Sequence, residues 1–146
     1  MDGVLITPLK RIATSRGDVL HGMKCGDPGF AGFGEAYFST VNRGETKGWK
    51  QHTRMTLNLV VPVGRIRFVI CAECKGVREF RDILLSPESD ELYQRLTISP
   101  GLWMAFRGEG NTTNMLLNVA SIHHDPAEAR NSPLESIPWN WPSLNG

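Results

Sequence analysis

The chain has 146 residues, of which 40% are apolar and 21% are charged, as in an ordinary soluble globular protein. That length predicts one domain over residues 1–146 with enough chain to bury a core. The formal net charge of +1 predicts no nucleic-acid partner and no anionic membrane surface. No apolar run approaches the roughly 20 residues that cross a bilayer, and the N-terminus lacks a signal-peptide pattern, so we expect a cytoplasmic protein without a membrane partner.

Glycines and prolines divide the first half of the sequence into short predicted β-strands. The first strand is expected within residues 3–13, and another within 33–41, where apolar and polar residues alternate. The Asn-Arg-Gly tripeptide that follows is typical of a hairpin turn. Residues 47–63 come next and predict either two strands or one long bent strand.

The second half continues the same pattern. Strands are expected within residues 66–74, 78–86, 95–108 (two strands around a Pro-Gly turn) and 113–121. A helix of one or two turns is predicted between Ser86 and Gln94, where a serine cap precedes a proline and acidic residues. From His123 onward the sequence becomes a polar tail with a helical turn at Pro126. About seven to ten short strands favour a β-sandwich or jelly roll.

Residues 44–64 are the stretch with the highest concentration of ionisable side chains before an apolar run. Lys47 is followed by Lys50, His52 and Arg54. Because alternate side chains of a strand share a face, the last three are expected on one side and Trp49 on the other. If the polar side lines a β-walled interior, it forms a site.

Five segments, in this order, carry a resemblance to a known family. They are FGEAYFS (33–39), KGWKQH (47–52), NLVVPVGRIRFV (58–69), SPGLWMAF (99–106) and HHDPAE (123–128). The set resembles the sugar-nucleotide branch of the RmlC-like cupins, which includes the dTDP-4-dehydrorhamnose 3,5-epimerases and the dTDP-sugar 3,4-ketoisomerases. The resemblance implies an all-β cupin jelly roll with a short C-terminal tail, a homodimer, a nucleotide-sugar substrate, no cofactor and a place in polysaccharide biosynthesis.

Several positions depart from the family pattern. Lys50 stands where the epimerases carry their catalytic histidine, and Lys47 replaces the preceding arginine. Met104 replaces the histidine of the second segment. His52 falls on the second histidine of the ketoisomerase pattern.

A metal site is not expected. Metal cupins need two histidines and a carboxylate from the first segment and one histidine from the second. The corresponding residues here are Lys50, His52, Met55 or Thr56, and Met104, so a single ligand remains. The one C-x-x-C motif of the chain has no second pair to complete a zinc site.

Proton abstraction beside a ketone needs a base, a partner for the enolate oxygen and an acid on the opposite side. His52 is the candidate base, and His124 or His123, which replace the family's acidic tyrosine, is the candidate acid. Lys50 is expected to stabilise the enolate, to act as a base, or to bind phosphate. Asp125 and Glu128 either orient the nearby histidines or cap the turn at Pro126.

Other residues are candidates for substrate binding, with structural roles as the alternative. Cationic side chains suit a pyrophosphate, tryptophans stack on a base or sugar ring, and an inward glutamate is costly to bury unless it has a partner. These candidates are Lys47, Arg54, Arg107, Trp49, Trp103, Glu35 and Asn58.

The sequence therefore predicts a metal-independent carbohydrate epimerase or isomerase. It would act on a nucleotide-linked 4-keto sugar by removing a proton next to the ketone. The alternative is a catalytically degenerate cupin that binds sugar nucleotides or a pathway partner. A lyase or isomerase of an unrelated small polar substrate is a third reading.

Overall fold

The computed structural model describes residues 1–144. The described chain contains short 3-10 turns at Pro126–Glu128 and Leu134–Ser136. Its strands are β1 (Val4–Pro8), β2 (Arg11–Ile12), β3 (Val19–Leu20), β4 (Glu35–Thr40), β5 (Thr46–His52), β6 (Leu57–Val63), β7 (Ile66–Cys74), β8 (Val77–Leu85), β9 (Gln94–Ile98), β10 (Trp103–Gly108), β11 (Met115–Ala120) and β12 (Ala129–Asn131).

Two five-stranded sheets form the body of the molecule. The first sheet has the order β1-β9-β6-β11-β4, and the second has the order β12-β5-β10-β7-β8. Every strand pair in these sheets is antiparallel. Neighbours in each sheet are mostly distant in sequence, as in a jelly roll, so the predicted all-β architecture is confirmed.

The main hydrophobic core lies between the two sheets. Alternating residues of β6, such as Leu57 and Leu59, meet Phe68 and Ile70 of β7, and all four side chains are buried. This alternation follows from the pleat, which sends every second side chain of a strand to the same face. The apolar runs of β6 in the first sheet and β7 in the second therefore face each other and form the centre of the core.

The C-terminal segment covers the outer face of the second sheet. Trp49 of β5 is 1% exposed and packs in a second apolar cluster with Ile137 from this segment. The Trp49 Nε1 group donates a hydrogen bond to the Leu134 carbonyl oxygen at 3.1 Å. The segment thus seals the sheet, as predicted for a tail packed over the body.

One predicted element is wrong. Residues 86–93 form turns and no helix. Ser86 instead donates its hydroxyl hydrogen to the Gly64 carbonyl oxygen at 2.8 Å, and Tyr93 is drawn into the protein interior, 2% exposed, with its hydroxyl donating to His21. These contacts hold both ends of the loop against neighbouring segments, so its turns do not continue as a helix before β9 begins at Gln94.

None of the helical segments in residues 1–144 has the length and apolar character that a membrane crossing requires.

A glycine is required where β5 pairs closely with β10. Gly48 has φ +142°, and a Cβ atom there would lie 2.6 Å from the Cβ atom of Ala105. Gly17 also has a positive φ, +129°, but nothing lies within 4 Å of its added Cβ.

We expect Gly48→Ala to lower the free energy of unfolding by about 2 kcal/mol more than Gly17→Ala, as measured by urea denaturation. Equal losses for the two variants would contradict this close approach.

Candidate active site

A cavity of about 260 Å³ opens between the two sheets, on the side of β4 and β11 in the first sheet and β5 and β12 in the second. Its floor is apolar and its walls are polar. The lining residues are Tyr37, Ser39, Lys47, Gly48, Lys50, His52, Leu57, Leu59, Met104, Phe106, Leu116, Asn118 and Asn131.

A bulge in β5 sets which side chains enter the cavity. Lys50 pairs with Met104 of β10, but the next paired positions are Lys47 and Phe106. Three steps on β5 therefore match two steps on β10, as in a β-bulge. Regular alternation would send residues 47 and 50 to opposite faces, whereas both line the cavity together with His52.

His52 is held by a buried carboxylate. Its Nδ1 atom forms a short hydrogen bond with Oε1 of Glu128, and the two side chains are 12% and 1% exposed. A carboxylate at Nδ1 fixes the ring and its tautomer, with Nδ1–H donating to the carboxylate. The Nε2 atom of His52 is then left to act as an acceptor toward the cavity.

Glu128 is itself fixed from two directions. Its Oε2 atom accepts hydrogen bonds from the backbone N–H groups of Arg54 and Met55, both at 3.1 Å. Burial alone would raise the pKa of Glu128, but the hydrogen bonds from His52 and these two amides lower it overall. The turn at Pro126 is capped instead by Asp125, which accepts from the Ala127 N–H group. Glu128 thus orients His52, and Asp125 caps the turn.

Two lysines supply positive charge to the cavity wall. Lys47 donates its ammonium hydrogen to the carbonyl oxygen of Thr40 at 2.6 Å. Lys50 makes no side-chain hydrogen bond or ion pair within residues 1–144. Lys50 is therefore the lysine of the cavity wall whose ammonium group is available to a ligand oxygen.

Tyr37 and Asn118 form a polar pair on the opposite wall. They are register partners on β4 and β11, and Asn118 Nδ2 donates to the Tyr37 hydroxyl oxygen at 2.9 Å. Neither was a candidate from the sequence. The available signal was the inward face of β11, where Asn118 lies between Leu116 and Ala120.

The expected acids do not reach the cavity. His123 and His124 are exposed and lie in the loop that leaves β11. The prediction that one of them faces His52 across the cavity is wrong, because the same segment sends the side chain of Glu128 inward instead. Both histidines remain outside the residues that line the site.

Three other candidates lie away from the cavity because they contact the C-terminal segment on the outer face of the second sheet. Trp49 and Trp103 pack on the outer face of the second sheet. Arg107 donates to the Pro142 carbonyl oxygen at 2.8 Å, and its guanidinium carbon lies 5.1 Å from the centroid of the Trp141 ring. These three predicted substrate contacts hold the C-terminal segment to the sheet.

The remaining candidates are also outside the lining. Asn58 is 2% exposed and donates to the Gly29 carbonyl oxygen at 3.0 Å, on the outer face of the first sheet. Arg54 lies beyond the end of β5 and pairs with Asp125 at 2.9 Å, so the expected alternation with His52 does not extend to it. Glu35 begins β4 and does not contribute to the cavity wall.

The folded chain is similar to solved structures of sugar-nucleotide enzymes. A dTDP-sugar isomerase from Desulfovibrio desulfuricans G20 superposes with a TM-score of 0.89 at 31% identity, over 98% of this chain and 94% of that one. The 3,4-ketoisomerase QdtA from Thermoanaerobacterium thermosaccharolyticum, solved with TDP, gives 0.70 at 18% identity over 89% and 88%. A dTDP-4-dehydrorhamnose 3,5-epimerase from Sulfolobus tokodaii gives 0.76 at 18% identity over 95% and 82%.

No family model and no curated protein sequence matches the chain significantly. The identity and coverage of the Desulfovibrio isomerase nevertheless show the family directly. The chain belongs to the dTDP-sugar isomerases of the RmlC-like cupin fold, and the resemblance drawn from its sequence is confirmed.

The buried carboxylate predicts a pH-dependent contribution to stability. Because folding lowers the pKa of Glu128, its contribution is complete above its ordinary value of 4.5 and is lost as the pH falls through the lowered value. We expect Glu128→Gln to lower the free energy of unfolding by about 2 kcal/mol at pH 7. The difference from the native protein should shrink in acid.

The exposed Asp125→Asn variant is the control and should lose less than about 1 kcal/mol. Urea denaturation across the acid range provides the measurement. A loss in Glu128→Gln that stays constant down to the lowest pH would contradict the assignment of the charged carboxylate.

Proposed function

We propose that this chain is a metal-independent sugar-nucleotide epimerase or isomerase that removes a proton beside the ketone of a nucleotide-linked 4-keto sugar. The single observation that supports the proposal most is the Glu128–His52 pair at the wall of a cavity between the sheets. Family membership supplies the substrate class, since its relatives are described as acting on dTDP-sugars. A histidine-to-asparagine mutant of QdtA was solved in complex with TDP-4-keto-6-deoxyglucose.

The size of the cavity suits the sugar rather than the whole ligand. Its volume of about 260 Å³ falls below the roughly 300–1,000 Å³ of pockets that enclose drug-sized molecules. We therefore infer that the hexose enters the cavity and that the nucleotide remains at its mouth. The unpaired Lys50 on that wall is available for an oxyanion of the ligand.

The proposed steps use residues from both walls. The Nε2 atom of His52 takes a proton from the carbon next to the keto carbon, and the electron pair moves onto the keto oxygen as an enolate. Lys50 and the hydroxyl of Tyr37 are available to stabilise that oxygen. Return of a proton to the same carbon on the other side gives an epimer. Return of the proton to the former keto carbon gives a ketoisomer, because the neighbouring hydroxyl then loses its proton to become the new ketone and the former keto oxygen gains a proton to become a hydroxyl.

Incubation of the protein with TDP-4-keto-6-deoxyglucose in D₂O tests the proposal. Proton abstraction should incorporate deuterium into the sugar ring, and NMR of the product distinguishes a retained ketone from a moved one. We expect His52→Asn to lower the exchange rate by about 10²–10⁴-fold. The double variant His123→Asn/His124→Asn is the matched control and should keep the native rate.

Two outcomes would reject this assignment. Exchange that persists in His52→Asn would remove that residue from the mechanism. Binding of the nucleotide sugar by the native protein without any exchange would instead favour the degenerate, binding-only cupin.

We also propose that the protein works in the cytoplasm, in the synthesis of polysaccharide precursors, as a homodimer. Phe38 lies on β4, the edge strand of the first sheet, and Phe33 lies just before that strand. Their side chains are 64% and 66% exposed, and an apolar surface at an open edge favours association.

We expect sedimentation at twice the chain mass of 16.2 kDa and a shift toward monomer in Phe38→Glu. Val77→Glu, at a residue 71% exposed on β8, should leave the dimer intact, and a monomeric native protein would contradict the proposal.

A further inference from the structure

The Asn118 side chain has one satisfied end and one unsatisfied end. Asn118 is 2% exposed, and its Nδ2 group donates to the Tyr37 hydroxyl. Its Oδ1 atom is buried and has no hydrogen-bond partner among the residues that the structure describes. Buried polar atoms are nearly always paired in folded proteins, so an unpaired amide oxygen on a residue that lines the cavity requires an explanation.

The location of Asn118 supplies that explanation. The residue lines the cavity, and its neighbours on the inward face of β11 are the buried, apolar Leu116 and Ala120. An apolar side chain at position 118 would continue that face without leaving an oxygen unpaired. Oδ1 can only accept a hydrogen bond, so the group that satisfies it must be a donor.

The hydrogen bond to Tyr37 has a second consequence. Because Nδ2 donates, one lone pair of the Tyr37 oxygen is occupied and the hydroxyl hydrogen is not used in this bond. The described chain offers the Tyr37 hydroxyl no other hydrogen-bond partner. Asn118 therefore keeps Tyr37 in the role of a donor toward the cavity.

We propose that Asn118 determines both the orientation of Tyr37 and the specificity for the sugar: Nδ2 holds the phenol as a hydrogen-bond donor, and Oδ1, which has almost no accessible surface here, is uncovered by a small side-chain rotation on binding and accepts from a ring hydroxyl of the ligand. The inference rests on the proposed function, because it takes the ligand to be a hydroxyl-bearing sugar attached to a nucleotide. Asn118 acts through Tyr37 in the reaction and through its own oxygen in binding. The two roles are separable by substitution.

Asn118→Leu removes both roles. We expect this variant to bind TDP-4-keto-6-deoxyglucose about tenfold more weakly, because one hydrogen bond to the sugar is lost, while its affinity for TDP alone is unchanged. Its kcat should also fall about tenfold. Asn58→Leu is the matched control, since Asn58 is equally buried but lies on the outer face of the same sheet, and it should change neither the affinity nor kcat.

Asn118→Asp separates the two roles and also serves if the leucine variant fails to fold. The carboxylate keeps an acceptor for the sugar hydroxyl, so KM should stay within about threefold of the native value. It cannot donate to Tyr37 and instead accepts the phenol hydrogen, so kcat should fall as in Asn118→Leu. A nonspecific destabilisation of the fold would not lower kcat while leaving KM unchanged, so this result would distinguish the proposed role from a structural one.

A double-mutant cycle with Tyr37→Phe completes the test. If Asn118 acts on kcat through the phenol, Tyr37→Phe/Asn118→Leu should have nearly the same kcat as Tyr37→Phe alone. Multiplicative losses in the double variant, or native affinity and kcat in Asn118→Leu, would overturn the inference. Failure of the native protein to bind or convert TDP-4-keto-6-deoxyglucose would reject the proposed function itself, and that result is visible before any variant is made.

Discussion

The site depends on one buried interaction, the hydrogen bond between Glu128 and His52. The carboxylate reaches β5 from a 3-10 turn more than 70 residues later in the chain. The same carboxylate accepts from two backbone amides just beyond the end of β5. It therefore ties the turn, the strand end and the imidazole into one rigid unit, and a base fixed in this way loses little entropy when substrate binds.

The cavity exists because the sandwich is packed unevenly. Apolar side chains of β6, β7 and β9 fill most of the space between the sheets, whereas the walls near β4, β5 and β12 carry polar and charged groups. The bulge in β5 brings Lys47 and Lys50 to the same face, and the tail holds β5 from outside through Trp49. A ligand that enters meets His52 and the lysines on one wall and Tyr37 on the other.

The sequence predicted the sheets better than it predicted the site. Alternation and glycine turns defined most strands, because burial of one strand face imposes a period of two. The inward positions of Lys50 and His52 followed from the same rule. Simple alternation would place Lys47 on the face opposite to Lys50. Lys47 lines the cavity because of the bulge in β5, and that bulge depends on pairing with β10, which is distant in sequence.

Other site residues were assigned wrongly or not predicted at all, because their roles depend on tertiary partners. Arg107 and Trp103 have side chains suited to a nucleotide, but the C-terminal segment packs on both. His123 and His124 are adjacent in the sequence and suit proton transfer, whereas the residue of that segment whose side chain points inward is Glu128. Tyr37 lies within a motif used to recognise the family, yet its function as a site residue became apparent only beside Asn118.

The most direct test of the account is a crystal structure of the protein bound to TDP-4-keto-6-deoxyglucose. The account predicts the sugar between the two sheets, with Nε2 of His52 within about 3.5 Å of a carbon adjacent to the keto group and the nucleotide at the cavity mouth. It also predicts that Nδ1 of His52 remains bonded to Glu128. A sugar bound outside the cavity, or a His52 ring turned so that Nε2 meets Glu128, would contradict the central claim.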